Sequence, residues 1–153
     1  MKVKVKDNLW KWHHNISECY YHIQLTIKYR RKILTKEVEQ TILETAQGLN
    51  ERYNIEISHL GFDKDYIHLM TRFLPVYSGG QVIKIIKSIT AREVFKQNTS
   101  VKKTLWGGEM WTDGYYISTI SARGNQQTVI NYIKKQGRKE DVKQLRMFNL
   151  TQD

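Results

Sequence analysis

The sequence predicts an α+β domain of the split βαβ kind: a four-stranded antiparallel sheet, two helices on one of its faces, and a further C-terminal helix. Three observations predict it. Four short stretches are rich in β-branched and aromatic residues, two stretches with apolar residues at helical spacing lie between them as crossovers, and a tight polar turn joins the second stretch to the third.

Residues 18–27 (ECYYHIQLTI) carry aromatic and β-branched side chains in partial alternation and read as the first strand. The basic turn KYRRK follows. Thr35 then caps a first helix in which Val38, Ile42, Ala46 and Leu49 recur at helical spacing. Residues 55–62 and 66–73 form two strands joined by Asp63, Lys64 and Asp65, whose polar side chains suit a hairpin turn. Ser78 caps a second helix reaching Gln97, with Val82, Ile85, Ile86 and Ile89 inward and Lys84, Lys87 and Arg92 outward. A loop rich in Trp and Gly leads to a fourth strand at 115–120. The last helix runs from about 125 to 136, with Gly137 placed to end it. This is the ferredoxin- or RRM-like order, and it leaves one sheet face open.

Composition bounds the function. The 153 residues contain 25 Lys+Arg against 15 Asp+Glu, a formal charge of +10. A polyanion is the natural partner of such an excess, although a merely solvated basic surface gives the same arithmetic. One domain spanning 1–153 is expected, with a core at about 18–137, an N-terminal arm at 1–14 and a tail at 138–153. Cys19 is the only cysteine, which fits a reducing, cytoplasmic setting. No apolar run approaches the 18 or so residues of a membrane span.

Alternation on the third strand puts Tyr66, His68 and Met70 on the open face and Ile67, Leu69 and Phe73 against the helices. There His68 either holds a divalent metal or handles a proton, or is an ordinary sheet histidine with a satisfied hydrogen bond. On the last helix Thr128, Tyr132 and Gln136 form one stripe beside the packing stripe Val129, Ile130 and Ile133. Tyr132 is either a nucleophile, able to attack phosphorus and conserve the energy of a diester bond, or an edge-of-core tyrosine. Trp106 and Trp111 either stack on unpaired bases or pack in the core. His13, His14 and His22 show no interpretable ligand spacing.

Taken together, KYRRKIL, DKDYIHLM, IKSITAREVF, LWGGEMWTDGYYISTI and VINYIKKQG, in collinear order over about residues 19–137, resemble the single-tyrosine, His-hydrophobic-His transposases of the insertion-sequence 200/605 family. The resemblance implies a dimeric enzyme that cuts and rejoins single-stranded DNA at hairpin-bearing element ends with Mg²⁺ or Mn²⁺. Tyr132 would form a covalent bond to a DNA 5′ phosphate. His68 would be the second His of the metal-binding pair, and Gln136 the third ligand. Arg30, Arg31, Lys32, Lys134 and Lys135 would contact DNA phosphates, and the tyrosine helix would dock on its own or the partner subunit.

One position departs from the pattern. The first His of the pair is Tyr66 here, and a neutral phenol is a poor ligand for either ion near neutrality. His59 can replace it if the hairpin turn is centred between Asp63 and Lys64, which sets His59 opposite His68. The alternative is a hairpin DNA-binding protein of the same fold whose metal site is disabled by Tyr66. An RNA-binding split βαβ domain, a third reading, has no need of the Tyr132 to Gln136 helix.

Overall fold

In the computed structural model, which describes residues 3–6, 9–105, 107–120, 126–136 and 143–144, the chain begins with an antiparallel meander. Its strands are β1 (Lys4–Lys6), β2 (Leu9–Trp12) and β3 (Asn15–Ser17). The sequence offered no strand signal in this arm, because three- and four-residue strands are too short for a period to register. What holds the meander is tertiary: Trp10 is buried against Arg72 of the main sheet.

The main sheet follows the expected plan. β4 (Tyr20–Thr26), β5 (Ile55–Phe62), β6 (Tyr66–Phe73) and β7 (Tyr116–Ile120) pair antiparallel in the order β7-β4-β6-β5, with a two-residue β8 (Lys143–Gln144) at the β5 edge. The crossovers are α1 (Lys36–Tyr53) and α2 (Gly79–Gln97), which is followed by the short α3 (Thr99–Thr104).

Local chemistry sets these boundaries. Thr35 Oγ1 accepts from Val38 N at 3.3 Å, and α1 stops at Asn54, whose φ of 54° is a left-handed conformation that Asn tolerates. At α2 a capping box closes reciprocally: Ser78 Oγ accepts from Gln81 N at 3.1 Å and Ser78 N donates to Gln81 Oε1 at 2.8 Å. The core lies between the helices and one sheet face. Val38, Ile42, Ala46 and Leu49 of α1 and Val82, Ile83 and Ile86 of α2 bury against Ile23, Leu25, Ile67 and Leu69.

The opposite face is not open as expected. α4 (Gln126–Gln136) packs across β5 and β6 of its own chain, where Ile133 is fully buried in a small cluster with Tyr20, Met70 and Ile120. Gly137 and Trp106 lie outside the described residues. Among the described residues, no helix is long and apolar enough to cross a membrane.

Candidate active site

Strand register decides which side chains meet on the face beneath α4. In the β4–β6 ladder His22 lies opposite Met70, Gln24 opposite His68 and Thr26 opposite Tyr66, so all six project to one side. The intervening residues, Ile23, Leu25, Ile67 and Leu69, fill the core. His68 is almost completely buried, and its Nδ1 lies 3.1 Å from Nε2 of His22, the residue diagonal to it on β4. The Tyr66 ring meets the His68 ring edge-on, with centroids 5.1 Å apart. His22 is in turn edge-on to Tyr116 of β7 at 5.5 Å.

Burial removes water from both imidazoles and so disfavours their charged forms. The His68 pKa is pushed down to about 4, mainly by burial and further by the neighbouring His22, with Asp63 opposing the shift. Burial lowers that of His22 as well. Both rings are therefore neutral at physiological pH, the state in which an imidazole can ligate a metal.

His59 does not take the place anticipated for it. The β5–β6 turn is centred between Lys64 and Asp65, closed by Asp63 N donating to Tyr66 O at 2.9 Å, which is one residue further on than the pairing with His68 requires. Gly61 consequently stands opposite His68, and His59 stands opposite Met70. Alternation from Gly61 puts His59 on the face of His68 but one pair away from it, where its Nδ1 meets Ser58 Oγ at 3.1 Å, and a bulge at Ser58 then returns Ile57 and Ile55 to the core face.

The resemblance's metal shell can be tested against these donors. Among the described residues no group of three His, Cys, Asp or Glu is placed to hold a metal. His68 fits such a role as a neutral imidazole on the face beneath α4, and Mn²⁺ accepts nitrogen more readily than Mg²⁺ does. Tyr66, a phenol, does not fit. Tyr132 and Gln136 are positions on α4, one turn apart, with Ile133 between them in sequence.

The basic turn sits at the sheet end that carries Tyr66. Ile27 N donates to Asp65 O at 2.7 Å and Lys28 N to Met110 O at 2.8 Å, while Lys28 Nζ pairs with Glu109 at 2.8 Å. Tyr29 and Arg30 have φ of 56° and 52°, left-handed conformations that cost a side-chain-bearing residue roughly 1–2 kcal/mol each. The surrounding bonds hold this geometry and leave Tyr29, Arg30, Arg31 and Lys32 exposed. Lys134 is exposed on α4. Lys135 is a position of the same helix.

Trp111 belongs to the packing. It is buried, and its Nε1 donates to Thr90 Oγ1 at 3.0 Å. A groove of about 610 Å³ beside it, between α2 and the loop at 107–115, contains none of the residues of the His68 face.

His22 is the residue that sequence reasoning missed, yet a signal existed. It has the parity of Tyr20 and Gln24, opposite to core-facing Ile23 and Leu25, and β4 and β6 are adjacent strands in this topology. Two histidines off the core side of adjacent strands must share a face.

Comparison with known proteins identifies the family. The family described as "Transposase IS200 like" matches residues 15–136. The ISDra2 transposase TnpA of Deinococcus radiodurans is 28% identical over 125 residues, covering 82% of this chain and 89% of that protein. The transposase for insertion sequence element IS200 of Salmonella typhimurium is 27% identical over 123 residues, 80% of each chain. A crystal structure of a transposase assigned in D. radiodurans superposes with a TM-score of 0.66 at 25% identity, covering 83% of this chain and 97% of that one. With four-fifths of its length matched and the fold shared, the chain belongs to the IS200-like transposase family.

Proposed function

We propose that this transposase cuts and rejoins single-stranded DNA at hairpin-bearing insertion-sequence ends through Tyr132. The observation that carries the reading is the docking of α4, which bears Tyr132 and Gln136, through Ile133 onto the sheet face that holds His68. In the reaction the Tyr132 hydroxyl oxygen attacks the scissile phosphorus and loses its proton. The bond from phosphorus to the 3′ oxygen breaks, leaving a free 3′ hydroxyl and a 5′-phosphotyrosine. Attack by a 3′ hydroxyl on that linkage rejoins the strand and restores Tyr132, so no external energy source is needed. His68 and Gln136 would hold a divalent ion, Mn²⁺ in preference to Mg²⁺. Such an ion supplies positive charge against the phosphate oxygens.

Arg30, Arg31 and Lys32 on the strained turn, with Lys134 and Lys135 on α4, bind backbone phosphates and orient the hairpin. The enzyme acts in the cytoplasm as a homodimer, and the whole chain, 1–153, works as one transposase domain. The second reading, a hairpin-binding protein without cleavage, is favoured by Tyr66 in the first-His position and by the register that keeps His59 one pair from His68.

The test is a denaturing gel for a covalent protein–DNA adduct, using single-stranded hairpin oligonucleotides with Mn²⁺ or Mg²⁺. An adduct that Tyr132→Phe abolishes supports the enzyme. Hairpin binding without an adduct selects the second reading, and absence of binding overturns both.

A further inference from the structure

We propose that His22 is a positioning residue for His68, accepting a hydrogen bond from His68 Nδ1–H and thereby keeping the Nε2 lone pair of His68 for the divalent ion it would hold. The proposal rests on the reading of His68 as the metal-holding imidazole. Its geometry is independent of that reading.

The two rings meet head-on. Their centroids are 5.3 Å apart and the facing nitrogens 3.1 Å apart, a difference of about two imidazole ring radii, and the ring planes are inclined by 26°. Such collinear rings suit a linear hydrogen bond. Two ligands of one ion must instead point their lone pairs at a common third point, so this contact is not a shared metal site. With Nδ1 facing His22, Nε2 is the nitrogen through which His68 would hold an ion. Metal-bound imidazoles generally require such an anchor, because the partner on the second nitrogen selects the tautomer and the ring orientation.

The scaffold makes His22 suited to this task. It lies on β4, between β7 and β6, registered opposite Ser118 on one side and Met70 on the other. It is buried, and the ring of Tyr116 closes its outer side. Its own strand neighbours Ile23 and Leu25 are fully buried in the core, so β4 cannot slip without exposing them. Tyr66 closes the opposite flank of His68. A neutral ring on each side thus holds one rotamer of His68 while adding no competing charge.

Two readouts on the full chain test this. Long-range proton–nitrogen correlation spectra of histidine-labelled protein at pH 7.5 report the tautomer. The expected result is His68 protonated at Nδ1 and bare at Nε2; a wild-type His68 protonated at Nε2 overturns the proposal whatever the metal does. Binding of Mn²⁺, followed by the electron paramagnetic resonance of the free ion, reports the consequence. His68→Ala should abolish binding, His22→Ala should weaken it roughly 10- to 100-fold, and His22→Gln, whose amide oxygen can still accept, should recover most of that loss.

Unchanged affinity in His22→Ala overturns the proposal. Complete loss in both His22 variants does so too, by making His22 a direct ligand. A wild-type chain with the expected tautomer but no Mn²⁺ binding rejects the metal role of His68, and the positioning role falls with it while the hydrogen bond stands.

Discussion

The guanidinium of Arg72 lies over the indole of Trp10, 4.6 Å from its centroid, and joins the N-terminal meander to β6. The same group stacks on Tyr20 at 4.9 Å and donates to Tyr20 Oη at 3.0 Å and to Ser17 O at 3.1 Å. A buried cation held between two aromatic faces and two oxygens replaces much of the hydration it has given up. Trp10→Ala removes one wall of that site and a fully buried ring. It should cost about 3–5 kcal/mol in urea unfolding, and a loss below about 1 kcal/mol would mean that the meander is only loosely attached.

α4 is docked by a smaller contact. Ile133 is fully buried, but among the described residues its cluster contains only Tyr20, Met70, Ile120 and the half-buried Ile130. Ile133→Ala should weaken this contact by roughly 2–4 kcal/mol, enough to release the helix while the main core stays intact. Hydrogen exchange should show protection falling in α4 alone, with adduct formation falling in parallel. Equal loss of protection in α1 and α2 would contradict such local release.

At the departing position, Tyr66→His adds an imidazole on the flank of His68 away from His22 and should raise Mn²⁺-dependent adduct formation by at least about tenfold, equivalent to ~1.4 kcal/mol. The measurement is the initial rate of adduct formation against Mn²⁺ concentration. Unchanged rates would show that Tyr66 does not limit the site.

Acid should destabilise the fold through the imidazole pair. In the native state the His68 pKa is held near 4, whereas the unfolded chain takes up its proton at the ordinary value of 6.5. The unfolded state therefore binds more protons between those values. The stability of the neutral buried ring is complete above about pH 6.5 and drains away as the pH falls toward 4. Urea midpoints at pH 7.5 and 5 should diverge more for wild type than for His68→Asn, and equal divergence would contradict this assignment.

DNA contact by the strained turn has an ionic signature. Removing Arg30, Arg31 and Lys32 together should lower the slope of log affinity against log salt by roughly 2, at about 0.7 per phosphate contact on single strands. Fluorescence anisotropy with a labelled hairpin oligonucleotide across a salt series measures it. An unaltered slope would place these side chains away from the DNA.

Much of the architecture was legible in the sequence because it is written in local periods. Alternation around His68 separated Ile67 and Leu69 from Tyr66 and Met70, and Thr35 and Ser78 marked helix starts where each side chain caps a backbone N–H. Tyr132 and Gln136 fell on one helix for the same reason. The three-residue strands of the meander carry too little period to be recognised, and their anchor, Arg72, lies in a strand distant in sequence.

What the sequence by itself determined, then, is the succession of elements, the faces of the β6 residues around His68, and the presence of Tyr66 where the resemblance has His. The tertiary structure alone decided three things. His22 and His68, 46 residues apart, meet head-on; His59 is held one pair away by the register of the turn; and α4 covers the sheet of its own chain. The physical reason is common to all three. Periodicity assigns a side chain to a face, but which partner it meets there depends on strand register and docking, which are set by the burial of the whole core.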